Sequence, residues 1–404
     1  MGSLWRRPLL AALLATLPII VSSIAPAAAT AAEQPVTIVG TLTVGSAPSA
    51  IAIDPSTHTV FVTNQDSNSV SIIDETTQRV VASIPVGKRP VAVTVDTSTH
   101  LVYAADAQSN ALSILDGVKH QVVATVAVGY LPGAIAVDSS EHRLYVADQS
   151  TDPRCASGCY DDIRVLDALT FQVQTVSRNL NTWIYTMVMD PASHNLVYTF
   201  DGKYEDGGVA VLDSALRAVT GGTLRYTVGG VAVDPATQQL FVGRLMTDLV
   251  ALERTPGQYM PFHETTVKVG VGIHHLALDP TTETLYVANA SSHTVSVVDV
   301  STGQVIATVA VGSPSTVYFS PDGPGPGAIA VDPVTHQVYV ADMGGHTVTV
   351  LQGVTTAVPN APAMPDTGAG GGRWLQQPVQ APTTTTSSPC AGSAASCCTM
   401  PASA

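Results

Sequence analysis

The sequence has few charged side chains, and basic ones are the scarcer. Only 12% of the 404 residues are charged, and 17 Lys and Arg stand against 31 Asp and Glu, a formal net charge of −14 at pH 7. Such a surface repels phosphate backbones and anionic lipid. The longest basic cluster after residue 31 is Lys88-Arg89. We therefore expect no nucleic-acid partner.

The sequence also lacks the common catalytic motifs. It has no GxSxG, no HExxH, no P-loop and no GxGxxG between a strand and a helix. Its five cysteines do not have the spacing of a haem attachment or a zinc site, so we predict no cofactor and no bound metal. Cys155 and Cys159 share one short loop and are a candidate disulfide; two unpaired thiols are the alternative. The states of Cys390, Cys397 and Cys398 stay open.

Helical periodicity is confined to the N-terminus. Arg6 and Arg7 precede an apolar run over residues 9–25, and small-residue cleavage sites follow. This order is typical of a secretory signal, so we predict a signal peptide over residues 1–31 and a secreted chain. An uncleaved anchor is the alternative, but Pro18 interrupts a run already short for a membrane span. We expect no stable membrane span in the mature chain.

A nearly constant phrase occurs seven times along the chain. PSAIAIDPSTHTVFVTNQDSNSVSIID (48–74) and PGAIAVDPVTHQVYVAD (326–342) are two clear copies. A period near 40–45 residues with four short apolar runs per unit is typical of a β-propeller. We predict an all-β, seven-bladed propeller of four-stranded antiparallel blades. One aspartate marks the same phase of each copy: Asp54, Asp96, Asp138, Asp190, Asp234, Asp279 and Asp332.

Four strands, A to D, are predicted in each unit, and strand A is expected nearest the propeller axis. In the first unit these are Ser49–Ile53, Val60–Thr63, Ser69–Ile73 and Val80–Val86. The last unit has strands at about 328–331, 337–341 and 346–351 but no strand D. An unused strand, Val36–Val44, precedes the first unit, so we expect it to complete blade seven and close the ring. The predicted propeller spans residues 32–354.

Two segments carry a family resemblance. FVTNQDSNSVSIID (61–74) and YVANASSHTVSVVDVSTGQVIATVAVG (286–312) resemble the YVTN family of β-propeller repeats, which includes YncE-like and surface-layer propellers. The resemblance implies an exported or surface-exposed protein, and it implies no shared reaction. Related propellers serve as redox-enzyme domains, lactonases and binding platforms, so the fold alone does not choose among them.

Repeated residues are first interpreted as turn chemistry. The seven phase aspartates lie at A–B turns, where an aspartate side chain accepts bonds from the following backbone amides. His58, His100, His142, His194 and His336 share one position with Gln238 and Glu283, so we interpret them as solvated turn residues. The residues that end strand B cap the next turn or, alternatively, hold a central cation. They are Asn64, Asp106, Asp148, Asp201, Arg244, Asn289 and Asp342.

Departures from the repeat are the candidates for function, and most fall on one rim. The D–A and B–C loops share this top rim, and binding residues concentrate in such loops. The Pro-x-Ala opening of strand A is lost in blades four to six. Adjacent His274 and His275 should point to opposite faces and not share a metal. The candidate ligand-binding residues are Arg89, Tyr130, Trp183, Tyr185, Arg244, His274, His275 and Asp342; packing substitutions are the alternative.

Residues 355–404 form a Pro/Thr/Ser/Ala/Gly-rich segment that we expect to be a disordered tail. Met364–Gly368 resembles the LPxTG sortase signal, but no apolar span and basic end follow it, so wall anchoring and chance both stay open. The sequence as a whole favours a monomeric, secreted or cell-surface module that binds a small molecule, a glycan or a surface protein. The alternatives are a propeller enzyme, either a lactonase-like hydrolase or a carbohydrate-active lyase, and a purely structural envelope protein.

Overall fold

A computed structural model describes most of the repeat region. Its compact unit is Met1–Ala361, and the second unit, Pro362–Ala404, lies outside the described residues. The predicted signal peptide, Cys155, Cys159 and the sortase-like segment also lie outside them. No helix in the described part is long and apolar enough to cross a membrane. The described residues are 36–149, 161–177, 182–202, 207–223, 228–245, 248–253, 264–312 and 326–355.

The described chain is built almost wholly of short strands, joined by tight turns and one 3₁₀ turn. The strands of the first half are β1 Thr37–Thr43, β2 Pro48–Asp54, β3 Thr59–Asn64, β4 Ser69–Asp74, β5 Arg79–Pro85, β6 Pro90–Asp96, β7 Leu101–Asp106, β8 Ala111–Asp116, β9 Gln121–Ala127, β10 Tyr130–Asp138, β11 Arg143–Gln149, β12 Asp161–Asp167 and β13 Val173–Ser177. Those of the second half are β14 Thr182–Asp190, β15 Asn195–Gly202, β16 Gly208–Leu212, β17 Ala218–Thr223, β18 Val228–Asp234, β19 Gln239–Arg244, β20 Leu249–Glu253, β21 Glu264–Lys268, β22 Ile273–Asp279, β23 Thr284–Asn289, β24 Thr294–Asp299, β25 Gln304–Ala310, β26 Pro326–Val331, β27 Gln337–Asp342 and β28 Thr347–Gln352.

These strands form seven four-stranded antiparallel sheets, which confirms the predicted propeller. Blades one to six each use four consecutive strands, from β2–β5 to β22–β25. The A strands contact one another in sequence around a closed ring, because β26 of blade seven meets both β22 and β2. The predicted strands of blade one agree with the observed ones to within one residue at each end.

Blade seven is completed by the N-terminal strand, as predicted. β1 pairs antiparallel with β28, with Thr41 opposite Thr349 and Leu42 opposite Val348. The pairing covers an edge of β28 that would otherwise expose unpaired backbone groups. Both ends of the repeat region must therefore be present for the ring to close.

Burial follows the order of the strands within a blade. Every residue of β3 is buried, whereas the outer strand β5 alternates between exposed and half-buried side chains. The strand-B aromatics Tyr103, Tyr286 and Tyr339 are fully buried between blades. This gradient explains why strands B and C read as continuous apolar runs.

Every A strand carries a register shift near its start. It lies between Pro48 and Ala50 in blade one and between Pro326 and Ala328 in blade seven. The other five A strands shift at the equivalent place. A bulge bends a strand and re-aims its side chains. The Pro-x-Ala sequence at the start of strand A therefore marks a bulge on the top rim.

The phase aspartates make the predicted turns. In all seven blades the Oδ1 atom accepts the backbone N–H of the residue two positions on, at 2.8–3.1 Å. Asp54, for example, accepts from Ser56. This local bond ends strand A and starts the A–B turn.

The turn histidines have the predicted turn position and partly exposed side chains, but four of them also make a contact that the sequence did not predict. The shared position has a left-handed φ of 50–60° in all seven blades. At four seams between blades, the histidine Nδ1 also faces the phase aspartate Oδ2 of the preceding blade. The pairs are His100–Asp54 at 2.7 Å, His142–Asp96 at 3.6 Å, His194–Asp138 at 2.9 Å and His336–Asp279 at 2.7 Å. These residues therefore link neighbouring blades along the lower rim.

Candidate functional site

The candidate residues lie where strands begin or end at the top rim. Tyr130 begins β10, and Trp183 and Tyr185 lie near the start of β14. His274 and His275 open β22. The remaining three are Arg89 just before β6, Arg244 at the end of β19 and Asp342 at the end of β27.

Three aromatic side chains stand out by their exposure. Tyr130 is 50% exposed, Trp183 41% and Tyr185 42%, and every other aromatic in the described ranges is half-buried or buried. All three belong to the A strands of blades three and four, which are neighbours in the ring. We call these three residues the aromatic rim. Exposed aromatics on neighbouring strands mark a binding surface more often than scattered ones do.

The bulge of β14 brings Tyr185 outward. The register shifts between Ile184 and Thr186, so Tyr185 occupies the bulged position. The Asp161 Oδ2 of blade three accepts the Ile184 N–H at 2.6 Å, which fixes the backbone between Trp183 and Tyr185. Burial raises the pKa of Asp161 to about 6. Asp161 was not among the predicted residues.

A carboxylate lies beside the exposed aromatics of blade four. Asp201 is the strand partner of Trp183. Burial and the Asp201 carboxylate, to which the Tyr185 hydroxyl hydrogen-bonds, raise the pKa of this hydroxyl. The rim therefore combines apolar ring faces with a polar Tyr185–Asp201 pair.

Blade three supplies an ion pair that sequence reasoning missed. Arg164 donates to Asp148 through Nε at 2.5 Å and through Nη2 at 3.1 Å. Burial raises the pKa of Asp148, and the Arg164 guanidinium opposes that rise. Arg164 is opposite Val146 in register, as Ser71 is opposite Val62 in blade one. Comparing the C strands in this register would have identified the arginine.

Two candidates make specific contacts elsewhere on the rim. The Arg89 N–H donates to Asn68 Oδ1 at 2.8 Å, and its guanidinium reaches the Gln65 amide oxygen at 2.6 and 3.0 Å. The His275 Nδ1 bonds the Gly327 carbonyl of blade seven, and burial lowers the pKa of its ring. Both residues thus help hold neighbouring loops or blades together.

Blades five and six lose the Pro-x-Ala opening of strand A for different reasons, and that of blade five is close packing. A side chain on Gly229 would place its Cβ 2.2 Å from the Ile273 carbonyl oxygen, so blade five needs glycine where the A strands approach closely. His274 lies at the bulge between Ile273 and His275. The expectation that the two histidines point to opposite faces rested on regular alternation, which the bulge interrupts.

The residues that end strand B are mostly capping groups. Asn64 Nδ2 donates to Ser71 Oγ at 2.9 Å, and Asn289 makes the same bond in blade six. The Ser113 Oγ donates to Asp106 Oδ2 at 2.6 Å. Asp342 is only 1% exposed, so its carboxylate does not line an open surface. These bonds support the capping interpretation over the central cation.

A cleft of about 240 Å³ lies at the opposite rim, between blades five and six. Asp234, Gln239 and Glu283 contribute polar groups, and Leu278 and Pro280 contribute apolar ones. Glu283 replaces the histidine that bridges four other seams. The cleft lies at the opposite end of the A strands from the aromatic rim. The sequence did not predict it.

Comparison with known proteins supports the fold. The family model for the seven-bladed β-propeller lactonase matches residues 230–356, and no curated protein matches the chain. The hydrazine synthase of Kuenenia stuttgartiensis is similar with a TM-score of 0.64 and 18% identity, over 76% of this chain and 96% of that one. Raptor of Chaetomium thermophilum has a TM-score of 0.64 and 15% identity, over 80% of this chain and 30% of that one. At these identities the structures show a common β-propeller fold and nothing about activity.

Proposed function

We propose that this chain is an exported, YVTN-type propeller that binds a neutral oligosaccharide at the aromatic rim. The observation that carries the proposal is the position of the three exposed aromatics, Tyr130, Trp183 and Tyr185, on adjacent blades. A protein gains no stability from leaving such rings in water. A ligand that covers them would recover that apolar contact.

The chemistry of the rim favours a carbohydrate over other polar ligands. Aromatic side chains offer an apolar face and a polar edge, which suits a sugar ring with its C–H faces and hydroxyl groups. The Tyr185 hydroxyl, which hydrogen-bonds to Asp201, keeps an oxygen lone pair that can accept a hydrogen bond from a sugar hydroxyl. The net charge of −14 disfavours acidic polysaccharides. A neutral glycan therefore fits best.

The rim is also held in place before any ligand arrives. Asp161 fixes the backbone between Trp183 and Tyr185, and the Asp148–Arg164 pair braces the adjoining strands of blade three. Both supports lie on strands rather than in long loops. A site held by such supports loses little entropy on binding.

Export and YVTN character are supported by sequence features. The predicted signal over residues 1–31 precedes the first strand, and the segments 61–74 and 286–312 carry the YVTN-like phrase. A glycan-binding propeller outside the cell would meet its ligand on a cell surface or in a matrix. Detection of the chain in culture medium or on intact cells, cleaved near residue 31, tests this part of the proposal.

The binding proposal is tested by calorimetry against neutral oligosaccharides of glucose, N-acetylglucosamine, mannose and galactose. Trp183→Ala and Tyr185→Ala should each weaken binding by at least about fivefold, because loss of one stacked ring costs about 1–3 kcal/mol. Leu169→Ala is the matched control, since Leu169 is 50% exposed on the opposite rim. Binding that survives both aromatic substitutions, or that Leu169→Ala weakens equally, would overturn the proposal.

A lactonase-like hydrolysis is the second candidate, favoured by the family match over residues 230–356. A sugar lactone has the ring shape that the aromatic rim suits, so one surface could serve both functions. Ring opening of sugar lactones, followed as acid release, separates them. A rate above that of buffer which Trp183→Ala abolishes would establish the enzyme, and a rate equal to that of buffer leaves binding as the function.

A further inference from the structure

One acidic residue breaks the repeat on the lower rim. Glu75 directly follows β4, the strand C of blade one, and its backbone N–H donates to the His58 carbonyl at 3.0 Å. The equivalent residue of four other blades makes the same backbone bond to its own turn residue. Those residues are small or aliphatic: Gly117, Ala168, Val300 and Gly353.

The small residues have a packing reason. The strand-B aromatic of the preceding blade reaches this position: a Cβ on Gly117 would lie 3.0 Å from Phe61, and the Tyr103 hydroxyl donates to the Ala168 carbonyl at 2.8 Å. At Glu75 the neighbouring aromatic is Tyr339 of blade seven, whose hydroxyl donates to Gln337 at 2.7 Å. Blade one therefore places a carboxylate where four other blades place glycine, alanine or valine.

The carboxylate of Glu75 is buried and poorly compensated. Glu75 is 3% exposed, and among the described residues none donates to either of its oxygens with normal hydrogen-bond geometry. Burial and the adjacent Asp332 carboxylate raise the pKa of Glu75 to about 8, and the nearby Tyr339 hydroxyl opposes this rise. Asp332 is itself fully buried. Two buried carboxylates side by side are costly unless a proton or a cation lies with them.

A histidine completes the group at this seam. The His58 Nδ1 lies 3.7 Å from Glu75 Oε2, and one ligand atom each from His58, Glu75 and Asp332 lies within 4.8 Å of the others. The other histidine-bridged seams have a His–Asp pair, and in the described ranges only this seam adds a second carboxylate to it. His58 and Glu75 belong to blade one, and Asp332 belongs to blade seven.

We propose that His58, Glu75 and Asp332 bind one divalent cation of the manganese or zinc class, at the seam where the ring closes. One imidazole nitrogen and two carboxylate oxygens suit these ions, and water can complete the coordination. His58 is the exposed member, so a cation can enter from solvent beside it. The bound ion would join blade one to blade seven, the blade that both chain ends build. This site departs from our expectation of no bound metal.

Mn²⁺ is the sharpest probe, because thiolates bind it poorly and the five cysteines do not compete. Equilibrium dialysis of the full chain should give one bound Mn²⁺ per chain. Glu75→Ala installs the residue that blade three has at this position, and His58→Gln installs the residue of blade five. Each should weaken binding by at least tenfold, whereas His100→Gln at the next seam should leave it unchanged.

A thermal readout checks that the ion acts on the closed ring. A ligand at 100 times its Kd should raise the Tm of a propeller of this size by about 4 °C, and Glu75→Ala should abolish that rise. Should Glu75→Ala not fold, the isosteric Glu75→Gln replaces it. The proposal is overturned if neither Mn²⁺ nor Zn²⁺ binds in a 1:1 ratio at 1 mM, or if the Glu75 variants bind it as tightly as the unchanged chain.

Discussion

The buried Asp106 is the basis of a stability prediction, because another blade has asparagine at the same position. It ends strand B of blade two, is fully buried, and accepts a hydrogen bond from Ser113 Oγ at 2.6 Å. Asn64 has the same position in blade one and donates to Ser71. Replacing Asp106 by asparagine therefore installs a residue that this fold already uses there. We expect Asp106→Asn to stabilise the protein at neutral pH.

The magnitude follows from the ionisation of Asp106. Burial raises its pKa from 3.8 to about 6, although the Ser113 hydroxyl and a backbone amide oppose the rise. The folded state therefore keeps this proton to a higher pH than the unfolded state does. Stability is lost as the pH rises through the window from about 4 to about 6. A difference of about 2 pH units corresponds to about 3 kcal/mol, fully lost above that window.

Urea unfolding at pH 4 and pH 8 measures this effect. Asp106→Asn should match the unchanged chain at pH 4 and exceed it by up to about 3 kcal/mol at pH 8. Asp148→Asn is the control with the opposite sign, because it leaves the half-buried Arg164 guanidinium without its carboxylate and should cost about 3 kcal/mol. A gain that is equal at both pH values, or no gain at pH 8, would refute the reasoning.

Two further predictions concern the repeat itself. Gly129→Ala should destabilise the protein by about 3 kcal/mol, because its Cβ would lie 1.6 Å from the Asp148 Oδ1. Gly133→Ala should change the free energy of unfolding by less than about 0.5 kcal/mol, since nothing lies within 4 Å; equal effects in urea unfolding would contradict this. Glu283→His should rebuild the His–Asp bridge at the fifth seam and raise stability by about 0.5–1 kcal/mol at pH 6. That gain, measured by thermal unfolding, should vanish when Asp234→Asn is also present.

The fold could be predicted because the same pattern of strands and turns occurs seven times in the sequence. The strand boundaries, the aspartate turns and the closure by Val36–Val44 all followed from local signals: apolar runs, turn residues and one missing strand. The His–Asp links could not be seen in this way. His100 and Asp54 are 46 residues apart, and their contact depends on how two A–B turns meet across a seam.

The candidate site was predicted only in part, for a similar reason. Tyr185 was a candidate because it replaces part of the Pro-x-Ala opening of strand A, and Tyr130 and Trp183 were candidates because they lie just before that opening. Asp161 and Glu75 were missed because the residues at the two ends of strand C were not compared between blades. Both residues act across a seam, so their roles appear only when neighbouring blades are placed together.

Trp183 permits the most direct test of the binding account. The sequence has three tryptophans, Trp5, Trp183 and Trp374, so the predicted signal cleavage and a Trp374→Phe substitution leave Trp183 as the single fluorescent reporter. Titration with the oligosaccharide that binds in calorimetry should give a saturable change in its emission, with the same Kd. An emission spectrum that stays constant while calorimetry shows binding would place the ligand elsewhere and contradict the aromatic rim as the site.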